Sequence, residues 1–176
     1  MSHPPTGEHS KHDYVVATAS TSKPTDRRSR KIADALAEHS VGALRVSLGV
    51  VIAGFGALKF FPGASPAEDL VVQTTEVLTG GLITGTSAVV GTAVLESVIG
   101  LVLLTGVGLR IGLVLMAGWL IGILSPVVLF PAEMFPGGLP TLAAQYVLKD
   151  IILAAAAAVV AAHALGARLI RVDEMN

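Results

Sequence analysis

The chain of 176 residues is 52% hydrophobic and only 14% charged, and its mean hydropathy is +0.71. This composition leaves too little polar surface for a water-soluble domain of that length, so it predicts an integral membrane protein. The formal net charge is -1 and cysteine is absent. The lack of cysteine excludes thiol–disulfide chemistry and cysteine-ligated iron–sulfur clusters in this chain.

Residues 1–40 are polar and rich in Ser, Thr, His and charge, which predicts a disordered basic tail up to about Asp26. From about residue 28 to 41 the pattern becomes helical, and we expect a short juxtamembrane helix there. Basic side chains near anionic lipid gain roughly 1 kcal/mol each, so we expect a lipid-contacting basic patch at this point. The patch consists of Arg27, Arg28, Arg30 and Lys31.

Four apolar segments follow, each close to the roughly 20 residues that cross a hydrocarbon core about 30 Å thick. They lie near residues 41–61, 86–105, 109–130 and 142–163, and the more polar segment 67–78 suits a short helix at the membrane interface. The sequence therefore predicts an all-α fold. It is an integral membrane four-helix bundle over residues 41–166, followed by a short tail over 167–176.

The distribution of Lys and Arg predicts the orientation of this bundle. Residues 1–40 hold six of these residues, the loop between spans two and three holds Arg110, and the C-terminal tail holds Arg168 and Arg171. The loops 62–85 and 131–141 hold none. By the positive-inside rule, both termini of this multi-pass chain are expected to be cytoplasmic.

Small residues spaced four apart predict close helix approach. Ordinary packing within the bundle is the preferred explanation, and a dimerisation face is the alternative. The pairs are Gly108 with Gly112, Gly118 with Gly122, and Ala53 with Ala57.

Apart from Arg45, Arg110 and His163 near the expected cytoplasmic ends, four ionisable residues lie within the apolar segments, namely Lys59, Glu96, Lys149 and Asp150. A charge at the centre of a membrane helix costs about 3 kcal/mol, so such residues need partners, water or a function. At about 1.5 Å per residue, Glu96 and Asp150 lie about 12–14 Å from the outer ends of their helices. The four residues are therefore predicted to form an intramembrane polar cluster in the outer half of the bundle.

Two interpretations of this polar cluster remain open. It either consists of ion pairs that fix helix register, with Lys59 extending outward to water, or it is a pocket that binds a head group or relays protons. Lys149 and Asp150 are about 100° apart on a helix, so one of them can point at a neighbouring subunit instead. We expect Lys59 to be the least secure member, and Glu96 and Asp150 to be the strongest candidates.

Three further residues are candidates for the wall of such a pocket, namely Ser125, Pro126 and Tyr146. Pro126 is expected to bend span three and to free a backbone carbonyl near the cluster. No catalytic residue can be assigned, because nucleotide-binding, nucleophile-elbow and zinc motifs are missing from the sequence. The histidines of the N-terminal tail have no fixed geometry, so no metal site is expected.

A series of short motifs runs through the four spans. The motifs are Leu44-Arg45-Val46-Ser47, Gly56-x-x-Lys59-Phe60, Glu96 with Ile99-Gly100, Arg110, Ser125-Pro126 and Leu148-Lys149-Asp150. Together they resemble the DoxX-like superfamily over about residues 43–160, and most closely its YkgB-type inner-membrane proteins associated with reactive-chlorine resistance. The first external loop is shorter than in that branch, and the long basic tail is a further departure.

The resemblance implies a protein of the bacterial inner membrane that takes part in oxidative or electrophile stress defence. It would be a non-catalytic membrane partner of a redox enzyme, with a quinone as a possible ligand and no covalently bound cofactor. A small proton-coupled transporter or channel is one alternative, and a structural scaffold that recruits a partner is another. The expected partners are the lipid bilayer and either a redox enzyme or further copies of the chain, and not nucleic acid.

Overall fold

A computed structural model describes residues 24–167 of the chain, with side chains from Arg27 onward. The tail expected to be disordered before residue 24, and the C-terminal tail beyond Ala167, lie outside the described residues. The chain divides after Asp34 into an N-terminal unit and the bundle that begins at Ala35. In the N-terminal unit, the basic patch from Arg27 to Lys31 is exposed.

Residues 24–167 form helices joined by short turns and contain no strand. The helices are α1 Pro24–Leu58, α2 Glu68–Leu78, α3 Gly85–Thr105, α4 Leu109–Leu124, α5 Pro126–Leu129, α6 Pro131–Met134 and α7 Leu142–Ala164, with a 3-10 turn at Pro136–Gly138.

Four segments of these residues are helical, long and apolar enough to cross a membrane, which confirms the predicted all-α membrane fold of four helices. The expected juxtamembrane segment and the first span both lie within α1, and α4 with α5 makes up the third span. The four segments are Arg27–Leu58, Gly85–Thr105, Leu109–Leu129 and Leu142–Ala164.

The turn between α3 and α4 is short because glycine ends one helix and begins the next. Gly106 caps α3 with a φ of 75°, and Gly108 precedes α4 with a φ of 66°, both in the left-handed region that favours glycine. Arg45 from α1 reaches this turn, where its Nη1 donates hydrogen bonds to the carbonyls of Leu103 and Leu104. A cation here also complements the negative end of the α3 dipole.

Helices α1 and α3 approach each other more closely than side chains normally permit. A Cβ atom on Gly100 would lie 2.6 Å from both the Cβ and the backbone nitrogen of Ala53. On the other side of the contact, a Cβ on Gly56 would lie 2.9 Å from Glu96 Cβ. The small residues Gly56, Ala53 and Gly100 thus let the two backbones nearly touch, as in other membrane bundles.

The small-residue pairs predicted on the third span do not all mark close helix contacts. A Cβ on Gly112 would meet the side chain of Val102, but a Cβ on Gly118 or Gly122 would meet nothing within 4 Å. The prediction of close helix approach was therefore wrong for Gly118 and Gly122, which line an internal cavity instead.

The bundle has one apolar core among its described residues, built from the facing sides of α1, α3, α4 and α7. Its largest fully buried apolar side chains are Ile52, Ile99, Leu103, Met116 and Val160.

Pro126 interrupts the third span, as the sequence predicted. Proline has no N–H to donate to the carbonyl of Gly122, four residues earlier. The hydroxyl of Ser125 donates to that carbonyl instead, at 2.6 Å. The carbonyl that the proline frees is therefore satisfied locally.

The close contact at Gly100 yields a matched test of packing. Gly100→Ala is expected to destabilise the bundle by about 1–3 kcal/mol, because the added methyl group overlaps the backbone of α1. Gly91→Ala lies on the same helix, where a Cβ would meet nothing within 4 Å, and is expected to change stability little. The free energy of unfolding in mixed micelles measures both, and equal stability of the two variants would contradict this packing.

Candidate functional site: a polar cavity within the bundle

The carboxylate of Glu96 is the centre of the site. It is 1% exposed, and its Oε2 accepts a hydrogen bond from Lys59 Nζ at 2.6 Å. Its Oε1 accepts a second bond from Trp119 Nε1 at 3.1 Å. Because Lys59 follows α1, Glu96 lies on α3 and Trp119 on α4, this carboxylate joins three spans and has both oxygens occupied.

Lys59 is the firmest member of the predicted cluster, so the expectation that it was the least secure was wrong. The residue is only 7% exposed, and its ammonium group makes a short charge-assisted bond. The pairing cancels two charges that would each be costly in a bilayer. Lys59 reaches Glu96 because α1 and α3 are nearly in backbone contact at Gly56.

Sequence reasoning did not identify Trp119 as part of the site. It is the only tryptophan in the chain, it lies in the middle of a predicted span, and its indole N–H must find a partner when buried. Those signals indicate a buried acceptor nearby. They do not indicate that the acceptor is Glu96, because the rotation of α4 relative to α3 is not readable from the sequence.

A cavity of about 340 Å³ opens beside the Glu96 carboxylate. Helix α2 covers it with one face and residues of α1, α3, α4 and α7 form its sides. Most of its wall is apolar, including Ile52, Leu70, Leu95, Ile123 and Leu153.

Helix α2 packs into the bundle and forms one wall of this cavity. Gln73 on its outer side donates a hydrogen bond to Glu133 of α6 at 3.1 Å, and Glu68 accepts one from the Gly63 N–H at 2.9 Å. Its Thr74 is buried and lines the cavity. The polar segment that was expected at the interface is therefore also part of the site.

The side chains of Thr74 and Asp150 line the cavity and make no hydrogen bond to the described residues. The Oγ1 atom of Thr74 is buried and makes no hydrogen bond. Asp150 is half-buried and lines the cavity, yet its carboxylate forms no hydrogen bond or ion pair of ordinary length within residues 27–167. Buried polar groups are nearly always paired, so the unpaired hydroxyl of Thr74 is an uncommon feature of the cavity wall.

Lys149 does not pair with Asp150, although the two are adjacent in sequence. Its Nζ lies 3.8 Å from the centre of the Tyr146 ring and 5.9 Å from that of Phe55, as a cation–π contact. The predicted cluster of four charges thus divides into the buried pair Lys59–Glu96, a half-buried Asp150 and an exposed Lys149.

Several residues that line the cavity are also exposed at the surface of the bundle. Phe55 of α1 is 39% exposed and Tyr146 of α7 is 36% exposed, Lys149 is exposed as well, and so are Leu78 of α2 and Leu142 of α7. Lys149 is the eighth residue of α7, about 10 Å along the helix from its first residue.

Two of the three predicted wall residues line the cavity. Pro126 and Tyr146 do so, whereas Ser125 does not and uses its hydroxyl to cap Gly122. Within residues 24–167 no three His, Asp or Glu side chains are arranged to hold a metal ion. The histidines of the N-terminal tail lie outside the described residues.

Comparison of the chain with protein-family models, with curated proteins and with solved structures gave no match. The DoxX-like resemblance therefore stays a prediction from the motifs. The site rests on the geometry of its own residues.

The buried ion pair yields a stability prediction. Lys59→Met is expected to cost about 3–5 kcal/mol, because it leaves the Glu96 carboxylate buried without a counter-charge. The double variant Lys59→Met/Glu96→Gln removes both charges and is expected to recover most of that loss. Thermal unfolding of detergent-solubilised protein measures the series, and a single variant as stable as the double variant would show that the pair is not needed.

Proposed function

We propose that this protein is a non-catalytic membrane protein that binds a small lipid-soluble molecule with a quinone-like head in its intramembrane cavity. In this proposal it serves as the membrane partner of a redox enzyme in bacterial oxidative or electrophile stress defence. The observation that carries the binding role is the cavity of about 340 Å³, with apolar walls and a few polar groups that converge on it.

The composition of the cavity supports an uncharged, amphipathic ligand. Binding sites for small molecules are typically 300–1,000 Å³, mostly apolar and equipped with a few polar groups that fix orientation. Here the charge of Glu96 is cancelled by Lys59, and the opposite charges of Lys149 and Asp150 leave no net charge at the wall. The aromatic side chains of the wall, Phe55, Tyr146 and Trp119, suit a flat ring.

The cellular part of the proposal has separate support. The distribution of Lys and Arg favours cytoplasmic termini in the inner membrane, and the DoxX-like resemblance favours a stress-response role beside a redox enzyme. The absence of cysteine from the whole chain means that any redox chemistry would be supplied by that partner or by the ligand.

Filling the cavity tests the binding role. Gly122→Leu places a side chain in the cavity, where a Cβ meets nothing within 4 Å, and Gly91→Leu adds the same side chain at an exposed position of α3. We expect Gly122→Leu to weaken binding of decylubiquinone at least about tenfold, or about 1.4 kcal/mol. Quenching of the fluorescence of Trp119, the only tryptophan, reports occupancy directly.

The control Gly91→Leu is expected to bind like the parent protein. The same two variants test whether the cavity is needed in the cell. We expect Gly91→Leu, and not Gly122→Leu, to restore the oxidant survival of a deletion strain. If the unmodified protein does not bind the quinone, the ligand class is wrong. If both variants restore survival equally, the cavity is not the basis of the stress role.

Asp150 favours one alternative, a small proton-coupled transporter or channel. A half-buried carboxylate that lines a cavity without a protein partner resembles a proton-relay group. This alternative predicts proton flux into proteoliposomes that Asp150→Asn abolishes and that Asp69→Asn, at an exposed position of α2, leaves intact. A pH-sensitive dye inside the vesicles measures it, and no flux above that of empty vesicles would exclude this role.

A further inference from the structure

Thr74 and Asp150 of the cavity wall restrict what the ligand must offer. In its ionised form, which the nearby ammonium groups of Lys149 and Lys59 favour, the Asp150 carboxylate only accepts hydrogen bonds and so requires a donor. A threonine hydroxyl both donates and accepts, so Thr74 pairs with almost any polar atom. Asp150 is therefore the group that distinguishes ligands with a hydrogen-bond donor from ligands without one. Thr74 adds affinity for either kind of ligand.

Within residues 27–167, Asp150 feels the charges of Lys149 and Lys59, but no side chain donates a hydrogen bond to its carboxylate. The Lys59 ammonium and the Trp119 indole are both engaged by Glu96. The neighbouring Lys149 is held over the ring of Tyr146 at 3.8 Å. A ligand that brings its own hydroxyl donor thus completes the site, whereas one with only carbonyl acceptors leaves the carboxylate unpaired.

The setting of the cavity indicates where such a ligand comes from. The cavity lies among helices that are long and apolar enough to span a membrane, and its lining residues Val51, Phe55 and Tyr146 are also exposed on the surface of those helices. In a bilayer such surfaces face acyl chains, so the ligand partitions into the bilayer before it enters. A neutral hydroxyl is far less costly to carry into the bilayer than a charged group.

We propose that the cavity selects a lipid-soluble phenol, such as a hydroquinone with an alkyl tail, and that Asp150 is the acceptor that prefers it over the corresponding quinone. This inference rests on the proposed function, because it assigns the preferred form of the ligand at the same cavity. The hydroquinone hydroxyl donates to Asp150, its ring lies among the aromatic side chains, and Thr74 pairs with a second oxygen. No electron transfer is part of the proposal.

The test compares two probes that differ only in the donor. Decyl-hydroquinone and decyl-benzoquinone are equilibrated separately, under argon, with nanodiscs that contain the protein, and empty nanodiscs correct for partition into lipid. The bound amounts are measured by chromatography. We expect the unmodified protein to bind the hydroquinone about tenfold more tightly than the quinone.

Two substitutions locate the preference. Asp150→Asn, whose amide donates as well as accepts, is expected to reduce the ratio to near one, while Asp69→Asn makes the same change at an exposed position of α2 and should keep it. Thr74→Val is expected to weaken both probes by a similar factor. A hydroquinone preference that survives in Asp150→Asn would overturn the assignment of Asp150.

The ratio of hydroquinone affinity to quinone affinity in the unmodified protein tests the proposal even if a variant fails to fold. Equal binding of the two probes, or tighter binding of the quinone, would overturn this inference and leave the proposed quinone-like ligand standing. Binding of neither probe would overturn the proposed function together with it.

Discussion

The bundle depends on one interaction, the neutralisation of Glu96 within the membrane. A lone carboxylate there costs several kcal/mol, and three separate segments are recruited to offset it. Lys59 brings the end of α1, Trp119 brings α4, and Glu96 itself lies on α3. Because both oxygens are occupied, the relative rotation of the three helices is fixed, and the close contact of α1 with α3 at Gly56 and Gly100 brings Lys59 within reach of the carboxylate.

The cavity exists because the fourth span does not join this network. Gly118 and Gly122 leave open space on α4, and α7 lines the opposite side of that space with Tyr146 and Asp150. Helix α2 then covers the gap and is tied down by the bond from Gln73 to Glu133. Glycines thus have two different roles in the bundle. Gly56 and Gly100 allow α1 and α3 to pack closely, whereas Gly118 and Gly122 leave space for the cavity that α2 covers.

Much of this fold could be predicted from the sequence, since span length and hydropathy are local properties. The second, third and fourth spans agree closely with the predicted ones, whereas the first helical segment, Arg27–Leu58, begins about 14 residues earlier than expected. The pairing of charges was not predictable in the same way. Whether Lys59 reaches Glu96, and whether Lys149 turns toward Asp150 or toward Tyr146, depends on helix rotation and on backbone distance. Those are set by contacts such as that of Gly100 with Ala53, which lie far apart in sequence.

Glu96 and Asp150, the two strongest candidates from the sequence, therefore differ in their hydrogen bonding to the protein. Glu96 is saturated by two protein donors, so a ligand that bonded to it would have to displace a buried ammonium or an indole. Asp150 is half-buried, lines the same cavity and has no donor from residues 27–167. The two interpretations of the charge cluster therefore apply to different members. Glu96 and Lys59 form a buried ion pair between helices, and Asp150 is the member to which the proposed ligand binding is assigned.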